Sequence, residues 1–382
     1  MCEPAGRREA MCEPAGRREA MSEPAGQPRI SVVLPVSGVE EYLGGCLDSV
    51  LGQPFPGIEV IAVDDASADR CGEILDARAR QDPRLRVIHL TESGGPGPAR
   101  NLGLTQATGE YVWFVDPDDL LTAGSMEAVS GALAATRPDV LLIDYQSLLA
   151  SGRAEPSPGG GLRGYDRTGT LAQWPALINR TMTSWSKVVR REFLQDLSVP
   201  FPAGIHEDVP VSCAVLLSAH RIAVLDRVCY LYRRRERSFL ATKSMGHFAI
   251  FSSYAQVFAA MDGKCWPAER PPITLAVRAA VFGRAIEHYS TVLASGLVPG
   301  RARRDFFHRM TGDFRRYRPA GYSAPPGARG MKFHLVERGA WWRYTLLEPL
   351  NRARVAARRA LRIRRAGPQQ ESAPAAASRE LG

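Results

Sequence analysis

The stretch that most constrains this chain is Gly109-Glu-Tyr-Val-Trp-Phe-Val-Asp-Pro-Asp-Asp-Leu120. Tyr111 to Val115 has the aromatic and β-branched composition of a buried strand. The run stops in three carboxylates, Asp116, Asp118 and Asp119, with Pro117 among them. Proline removes a ladder donor, so the acids are expected on a loop just past the strand's carboxyl end. On an open α/β sheet that edge is where ligands bind. Clustered carboxylates repel one another unless a cation or hydrogen-bond donors offset them. Oxygen ligands on a short loop suit Mg²⁺ or Mn²⁺, which takes one or two carboxylates plus substrate phosphates. An Asp-rich turn capping the next helix is the plainer alternative.

Upstream of this stretch, strands and helices alternate with short connections. Ile30–Pro35 and Glu59–Val63 are near-continuous apolar runs of the kind found in central parallel strands, and Arg86–Leu90 reads as a third. Helices are expected over Glu40–Leu51, around Ile74 and Leu75, and from Asn101 to about Ala107, behind the Gly/Pro loop Ser93–Pro98. Downstream, Val140–Tyr145, Ile222–Leu225 and Cys229–Arg233 read as strands, Ser151–Gly164 as a surface loop, and 245–317 as mostly helical. The fold class is therefore α/β, a doubly wound sheet with flanking helices and a helical carboxy-terminal region.

Three strand ends carry polar groups: Pro35 with Ser37 and Glu40, Asp64 with Asp65, and Asp116 with Asp118 and Asp119. On a parallel sheet they converge on one edge. A carboxylate after the second strand suits a base N–H or ribose hydroxyls, while a helix N-cap is the alternative for one of that pair. Arg100 and Asn101, read as a helix start behind glycines, form a place for a phosphate. Neither G-x-G-x-x-G after the first strand nor G-x-x-x-x-G-K-[ST] occurs, so dinucleotide and P-loop readings are weak.

The series SVVLPV, VDDAS, GPARNLGL, GEYVWFVDPDD and HED resembles a family-2 glycosyltransferase of the GT-A fold, over roughly Ile30 to Ser238. The segment Trp185–Arg237 is similar to bacterial members that build surface polysaccharides and teichoic-acid-like polymers. The resemblance implies an inverting, metal-dependent hexosyl- or N-acetylhexosaminyl-transferase. Its donor would be a nucleotide-sugar, in the first place a UDP-sugar, and its acceptor a hydroxyl of a glycan, glycopolymer or lipid-linked molecule. It also implies that Pro35, Ser37, Glu40, Asp65 and Ser67 surround the nucleotide and that Arg100 approaches the diphosphate. Asp116 and Asp118 form the D-x-D pair, with Asp118 the metal ligand and Asp116 touching ribose or sugar. Arg237 and Ser238 close over the diphosphate. Asp208 is the base, with Glu207 beside it; a helix N-terminal acid pair is the alternative there. Ser37 and His206 stand where the family commonly has aromatic residues. A sugar-phosphate nucleotidyltransferase and an inactive nucleotide-binding module are the competing functions. The first lacks its Gly-rich loop here, and the retained acids speak against the second.

The domains expected are a repeated leader over 1–28, the GT-A unit over 29–240, a helical region over 241–336 and a basic tail over 337–382. MCEPAGRREA occurs twice at the start, followed by MSEPAGQPRI, so Met1, Met11 and Met21 are all candidate starts. No apolar leader and no run of about 20 apolar residues is visible. Seven scattered cysteines point to a reducing cytoplasm. The histidines at 89, 220, 247, 288, 308 and 334 read as isolated, and Arg233, Arg234 and Arg235 as a solvated charge run. Trp341 to Arg365 holds eight arginines and one acid, against a formal charge of +9 for the whole chain. With Trp341 and Trp342 as anchors, 341–365 reads as a helix on an anionic membrane surface. A solvated helix is the alternative, and nucleic acid the weakest reading, since no RNA- or DNA-binding motif lies beside it. The expected location is cytoplasmic, peripheral to the inner face of the membrane. Sugar, linkage and oligomeric state are not legible.

Overall fold

A computed structural model describes residues 29–156, 162–165, 168–179, 182–235, 242–264 and 270–347. In chain order the first half holds β1 (Ile30–Val36), α1 (Glu40–Leu51), β2 (Ile58–Asp64), α2 (Cys71–Ala79), β3 (Leu85–His89), α3 (Pro96–Gln106), β4 (Tyr111–Phe114) and β5 (Leu120–Leu121). Next come α4 (Ser125–Thr136), β6 (Val140–Leu148), β7 (Ala154–Pro156), β8 (Lys187–Arg190), α5 (Arg191–Asp196), α6 (Asp208–Ser218) and β9 (Ile222–Arg233). Four helices follow: α7 (Ala249–Met261), α8 (Leu275–Ala294), α9 (Arg303–Tyr317) and α10 (Ala328–Glu337).

The strands form one sheet in the order β3-β2-β1-β4-β8-β6-β9-β5, with β7 paired to β6. β3, β2, β1 and β4 are mutually parallel. β8 runs against both β4 and β6, so β6 and its parallel neighbour β9 point the same way as β4. The result is the mixed, mostly parallel sheet of the GT-A fold with a helical carboxy-terminal region. From β1 the chain steps outward through β2 and β3, then returns to the other side of β1 as β4. That reversal opens a crevice at the carboxyl ends of β1, β2 and β4, where open α/β sheets take ligands.

Every residue of β1 is buried, because both sheet faces are covered. Ile30, Val32, Leu34 and Val36 pack with Leu43, Cys46 and Leu47 of α1, Leu75 of α2 and Val129 of α4. Val33 joins the opposite layer, with Ala99 of α3 and Val215 of α6. That second apolar cluster continues without a break into Phe251 of α7, Phe282 of α8 and Phe306 of α9.

Three local expectations are corrected. α3 begins at Pro96, five residues before Asn101, because proline is tolerated in a first helical turn. Arg100 therefore lies in the second turn and not at the helix start. The strands expected at 222–225 and 229–233 are one strand, β9, whose register against β6 slips near Asp144. The loop after 151 contributes the short strand β7.

α3 is clamped to the segment that precedes α6. Asn101 brackets Phe201, its Oδ1 accepting the Phe201 N–H at 2.9 Å and its Nδ2 donating to the Phe201 carbonyl at 2.8 Å. A Cβ at Gly97 would lie 2.1 Å from the Pro202 carbonyl oxygen, which is backbone and cannot swing aside. Gly97→Ala is expected to destabilise the fold by about 1–3 kcal/mol through overpacking. Urea unfolding read by circular dichroism checks this, and an unchanged midpoint refutes the clamp.

Candidate active site

Carboxylates from the ends of β2 and β4 and from the head of α6 meet buried and half-buried cations at the crevice. Arg100, only 4% exposed, lies at the centre. Its Nη2 donates to Asp116 Oδ1 at 2.8 Å and its Nη1 to Glu207 Oε1 at 2.6 Å. Burial acts to lower its pKa, but the Asp116 and Glu207 charges outweigh burial and the net shift is upward. The guanidinium expected to face a phosphate thus faces two of the chain's own carboxylates. Its plane lies over Phe201, 5.6 Å from the ring centre, and its Nε is buried with no hydrogen-bond partner among the described residues.

The three acids after β4 have different fates. Asp119 is fully buried; it accepts from Tyr230 Oη at 2.7 Å and from the Arg233 N–H at 2.6 Å. Tyr230 Oη in turn accepts the Asp116 N–H at 3.1 Å, so Asp119 and Tyr230 shape the loop. Burial pushes the Asp119 carboxyl well up, helped by Asp118 and Asp116. Burial also raises Asp118, with Asp116 pushing the same way and Arg235 opposing. Arg235 Nε sits 2.5 Å from Asp118 Oδ2 but without hydrogen-bonding alignment. Arg233 Nε donates to the Asp118 carbonyl at 2.8 Å, and both guanidinium groups lie over the Tyr42 ring. Arg233 and Arg235 are therefore part of the site, which corrects their reading as solvated charges. Arg233 ends β9, and Arg235 follows two residues beyond the strand.

Asp65, 2% exposed, accepts from Ser93 Oγ at 2.7 Å and from the Gly94 and Gly95 N–H groups at 2.7 and 2.9 Å. Asp64 accepts the Ser67 N–H and His89 Nδ1. Neither acid caps α2, contrary to the alternative kept open for them; the cap position is Arg70, and Asp69 before it accepts the Cys71 N–H. Asp69 also takes the Glu40 N–H while Glu40 takes that of Arg70, so Glu40 is an exposed link between α1 and α2. Pro35 is buried in β1, Ser37 is exposed beyond it, and Ser67 is half-buried. Arg237 and Ser238 lie outside the described residues.

Glu207 and Asp208 open α6, the second being its first residue. Burial raises the Asp208 carboxyl to about 7, Glu207 adding to the shift while Arg100 and Lys187 oppose it. Lys187, 2% exposed, is pushed down to about 7 by burial, against the pull of Asp208. Its Nζ donates to the Thr183 carbonyl and, at 3.1 Å, to Ser212 Oγ. Trp185 stacks on Tyr230 with centroids 4.5 Å apart and meets Tyr145 edge-on at 4.7 Å, so it packs the wall of the site. His206, His247 and His288, read as unrelated, are brought together beneath this turn.

Among the described residues no three His, Cys, Asp or Glu side chains are grouped as ligands of one metal ion. The donor set nevertheless fits Mg²⁺ or Mn²⁺ in the way substrate-bridged sites do, through one or two carboxylates. Asp118 with Asp116 supplies them, and the cation now beside Asp118 is an arginine in poor hydrogen-bonding alignment. Breaking the Arg100 clamp strands buried charge, which costs on the order of 3–5 kcal/mol. Arg100→Lys is expected to lose most of this, since an ammonium cannot fork to two carboxylates. Chemical denaturation checks it, and native stability in Arg100→Lys overturns the clamp.

Comparison with known proteins shows which part of the chain resembles a known family. Residues 31–197 match the family model Glycosyl transferase family 2. Glycosyltransferase GlyG of Streptococcus pneumoniae is 29% identical over 228 residues, covering 56% of this chain and 73% of that protein. The poly(ribitol-phosphate) beta-N-acetylglucosaminyltransferase TarS of Staphylococcus aureus is 32% identical over 212 residues, but the match spans only 35% of its length. The crystal structure of S. aureus TarS 1–349 in complex with UDP-GlcNAc superposes with a TM-score of 0.68 at 23% identity, covering 85% of this chain and 92% of that one. That likeness establishes the fold.

Proposed function

We propose, from the match of residues 31–197 to the family 2 glycosyltransferase model, an inverting, metal-dependent transfer of a sugar from a UDP-sugar to a hydroxyl of a cell-surface glycopolymer or lipid-linked acceptor. The observation that carries this reading is Asp208, a carboxyl raised to about 7 at the head of α6. It is linked through Glu207 and Arg100 to Asp116 of the acid loop. A general base works best with a pKa near the operating pH. The nucleotide-sugar class is supported by the staphylococcal relative, whose structure holds UDP-GlcNAc, and that relative's name supports a phosphate-containing polymer as acceptor class.

In the proposed reaction Asp208 takes the proton of the acceptor hydroxyl as its oxygen attacks the anomeric carbon. The bond from that carbon to the diphosphate oxygen breaks, and UDP leaves with the electron pair. One displacement inverts the anomeric centre and needs no carboxylate nucleophile, unlike a retaining glycosidase. When bound at Asp118 and Asp116, Mg²⁺ or Mn²⁺ supplies charge to the departing diphosphate. Asp65, with Pro35, Ser37 and Ser67 around it, holds base and ribose; Glu40 keeps α1 and α2 together behind them. Arg237 and Ser238 are assigned to the diphosphate. Arg100 acts by holding Asp116 and Glu207 in place.

Asp208→Asn is expected to lower kcat at least a thousandfold with donor binding nearly unchanged, and Asp118→Ala to weaken donor binding only when metal is present. Calorimetry and UDP release measure the two, and full activity in either variant sinks the assignment. Because the Asp208 pKa is raised, the base form fills as pH climbs through about 7. The native rate should therefore rise between pH 6 and 8, and a flat profile there contradicts Asp208 as base.

We further propose that the enzyme works at the cytoplasmic membrane face. Among the described residues no helix is long and apolar enough to cross a membrane. Residues 341–347 are helical. Trp341 packs on Phe307 and Tyr344 is buried, whereas Trp342 and Leu346 are 77% and 71% exposed. One tryptophan, not two, is thus available as an anchor. The basic stretch beyond 347 lies outside the described residues, but 270–347 alone carries fourteen Arg and Lys against four Asp and Glu. Each basic group near anionic lipid contributes about 1 kcal/mol. Co-sedimentation with phosphatidylglycerol vesicles is expected at low salt and should be lost on removing 348–382 together with Trp342→Ser. Equal binding to neutral phosphatidylcholine vesicles refutes the tail as anchor.

A further inference from the structure

We infer that His247 is a positioning residue for sugar transfer, holding the Glu207-Asp208 turn through His206; this rests on Asp208 being the base. Three histidines distant in sequence meet below that turn. His206 directly precedes the two acids, His247 lies in the short 3₁₀ turn before α7, and His288 is in α8. His206 and His247 are 6% and 0% exposed.

The direction of the chain of hydrogen bonds follows from chemistry. The Thr242 carbonyl can only accept, so His247 Nε2, 3.0 Å away, carries a proton and donates to it. In a neutral ring the lone pair is then on Nδ1, which accepts from His206 Nε2–H at 3.2 Å. Burial and the neighbouring His247 push His206 down to about 4, which keeps that ring neutral at working pH. His288 packs edge-on against His206 with centroids 5.1 Å apart, and its own Nδ1 lies 3.2 Å from Tyr254 Oη.

This arrangement answers a backbone problem. His206 has φ +66°, a left-handed conformation that a non-glycine residue adopts at a cost and keeps only where its surroundings enforce it. Two ties enforce it from the helical region. His247 holds the ring, and Ser253 Oγ of α7, whose single proton is shared with the Ala249 carbonyl at 3.1 Å, reaches the His206 carbonyl at 3.3 Å. The next two residues are Glu207, clamped by Arg100, and Asp208, whose carboxyl has to meet an acceptor hydroxyl. Proton transfer and attack tolerate little misplacement; an error of 1 Å can cost about a hundredfold in rate. Of the residues assigned to donor and metal, Asp65 and Asp118 lie on other elements with no hydrogen bond to this turn among the described residues, and Asp116 meets it only through the buried Arg100. Losing the tie should therefore lower kcat and spare the donor KM.

The test measures UDP release by the full chain with Mn²⁺ as the UDP-sugar that most raises its melting temperature is hydrolysed, water taking the sugar in place of an acceptor hydroxyl. His247→Phe keeps a ring but removes the Nδ1 acceptor; His247→Asn puts a carbonyl oxygen near the same place. His247→Phe is expected to lower kcat about tenfold with donor KM within twofold, and His247→Asn to restore most of the loss. Ser253→Ala, which removes the second tie, should lower kcat several-fold and decides the matter if His247→Phe does not fold. Native kcat in His247→Phe, or in Ser253→Ala where that variant decides, overturns the positioning role, and Asp208→Asn being inactive in the same assay shows that the base assignment survives. Equal losses in His247→Phe and His247→Asn, or a parallel rise in KM, also overturn it. If Asp208→Asn is as active as the native chain, or no UDP-sugar is turned over at all, the base assignment falls and takes this inference with it.

Discussion

The fork of Arg100 is the interaction on which the site depends. One guanidinium, almost sealed from water, joins the loop after β4 to the head of α6 through Asp116 and Glu207. Elements ninety residues apart in sequence thereby meet at a defined spacing. Burying a guanidinium is unfavourable by itself, and so is burying either carboxylate. The three groups tolerate burial only together, so the site assembles as a unit. α3 can offer Arg100 at that depth because Gly97 and Gly103 let it sink against the Pro202 carbonyl and Val33.

The same charge logic explains the neighbouring acids. Asp119 is spent on Tyr230 and on the backbone of β9, which frees Asp116 and Asp118 to face the crevice. Asp208 and Lys187 are driven toward similar values from opposite directions, one up and one down, by the same loss of water. Each also moderates the other, because an opposite charge in a dry setting favours the ionised form.

Much of this was legible in the chain itself. Apolar runs that end in acids placed Asp65, Asp116 and Asp118 at one sheet edge, because strand period and proline position are local properties. The start of α3 was misplaced since Gly and Pro signal a loop unless the proline stands in a first turn, as Pro96 does. Arg235, Tyr230 and His247 escaped notice for a different reason. Their partners are more than forty residues away, and no local pattern distinguishes a buried arginine or histidine from an exposed one. No local rule brings His206, His247 and His288 together; only the packing of α7 and α8 on the sheet does that.

That packing bears on how such enzymes diversify. The apolar layer that begins at Val33 and Ile61 in the sheet does not close at α6; it runs on through Phe251, Phe282 and Phe306. Neither side of residue 240 owns a finished interior. A chimera joined there would leave both pieces with an uncovered oily face, so the helical region cannot be exchanged as a cassette in the way linker-joined modules are. Changes in what the enzyme modifies are then confined to surface positions and loops, with the shared interior inherited whole.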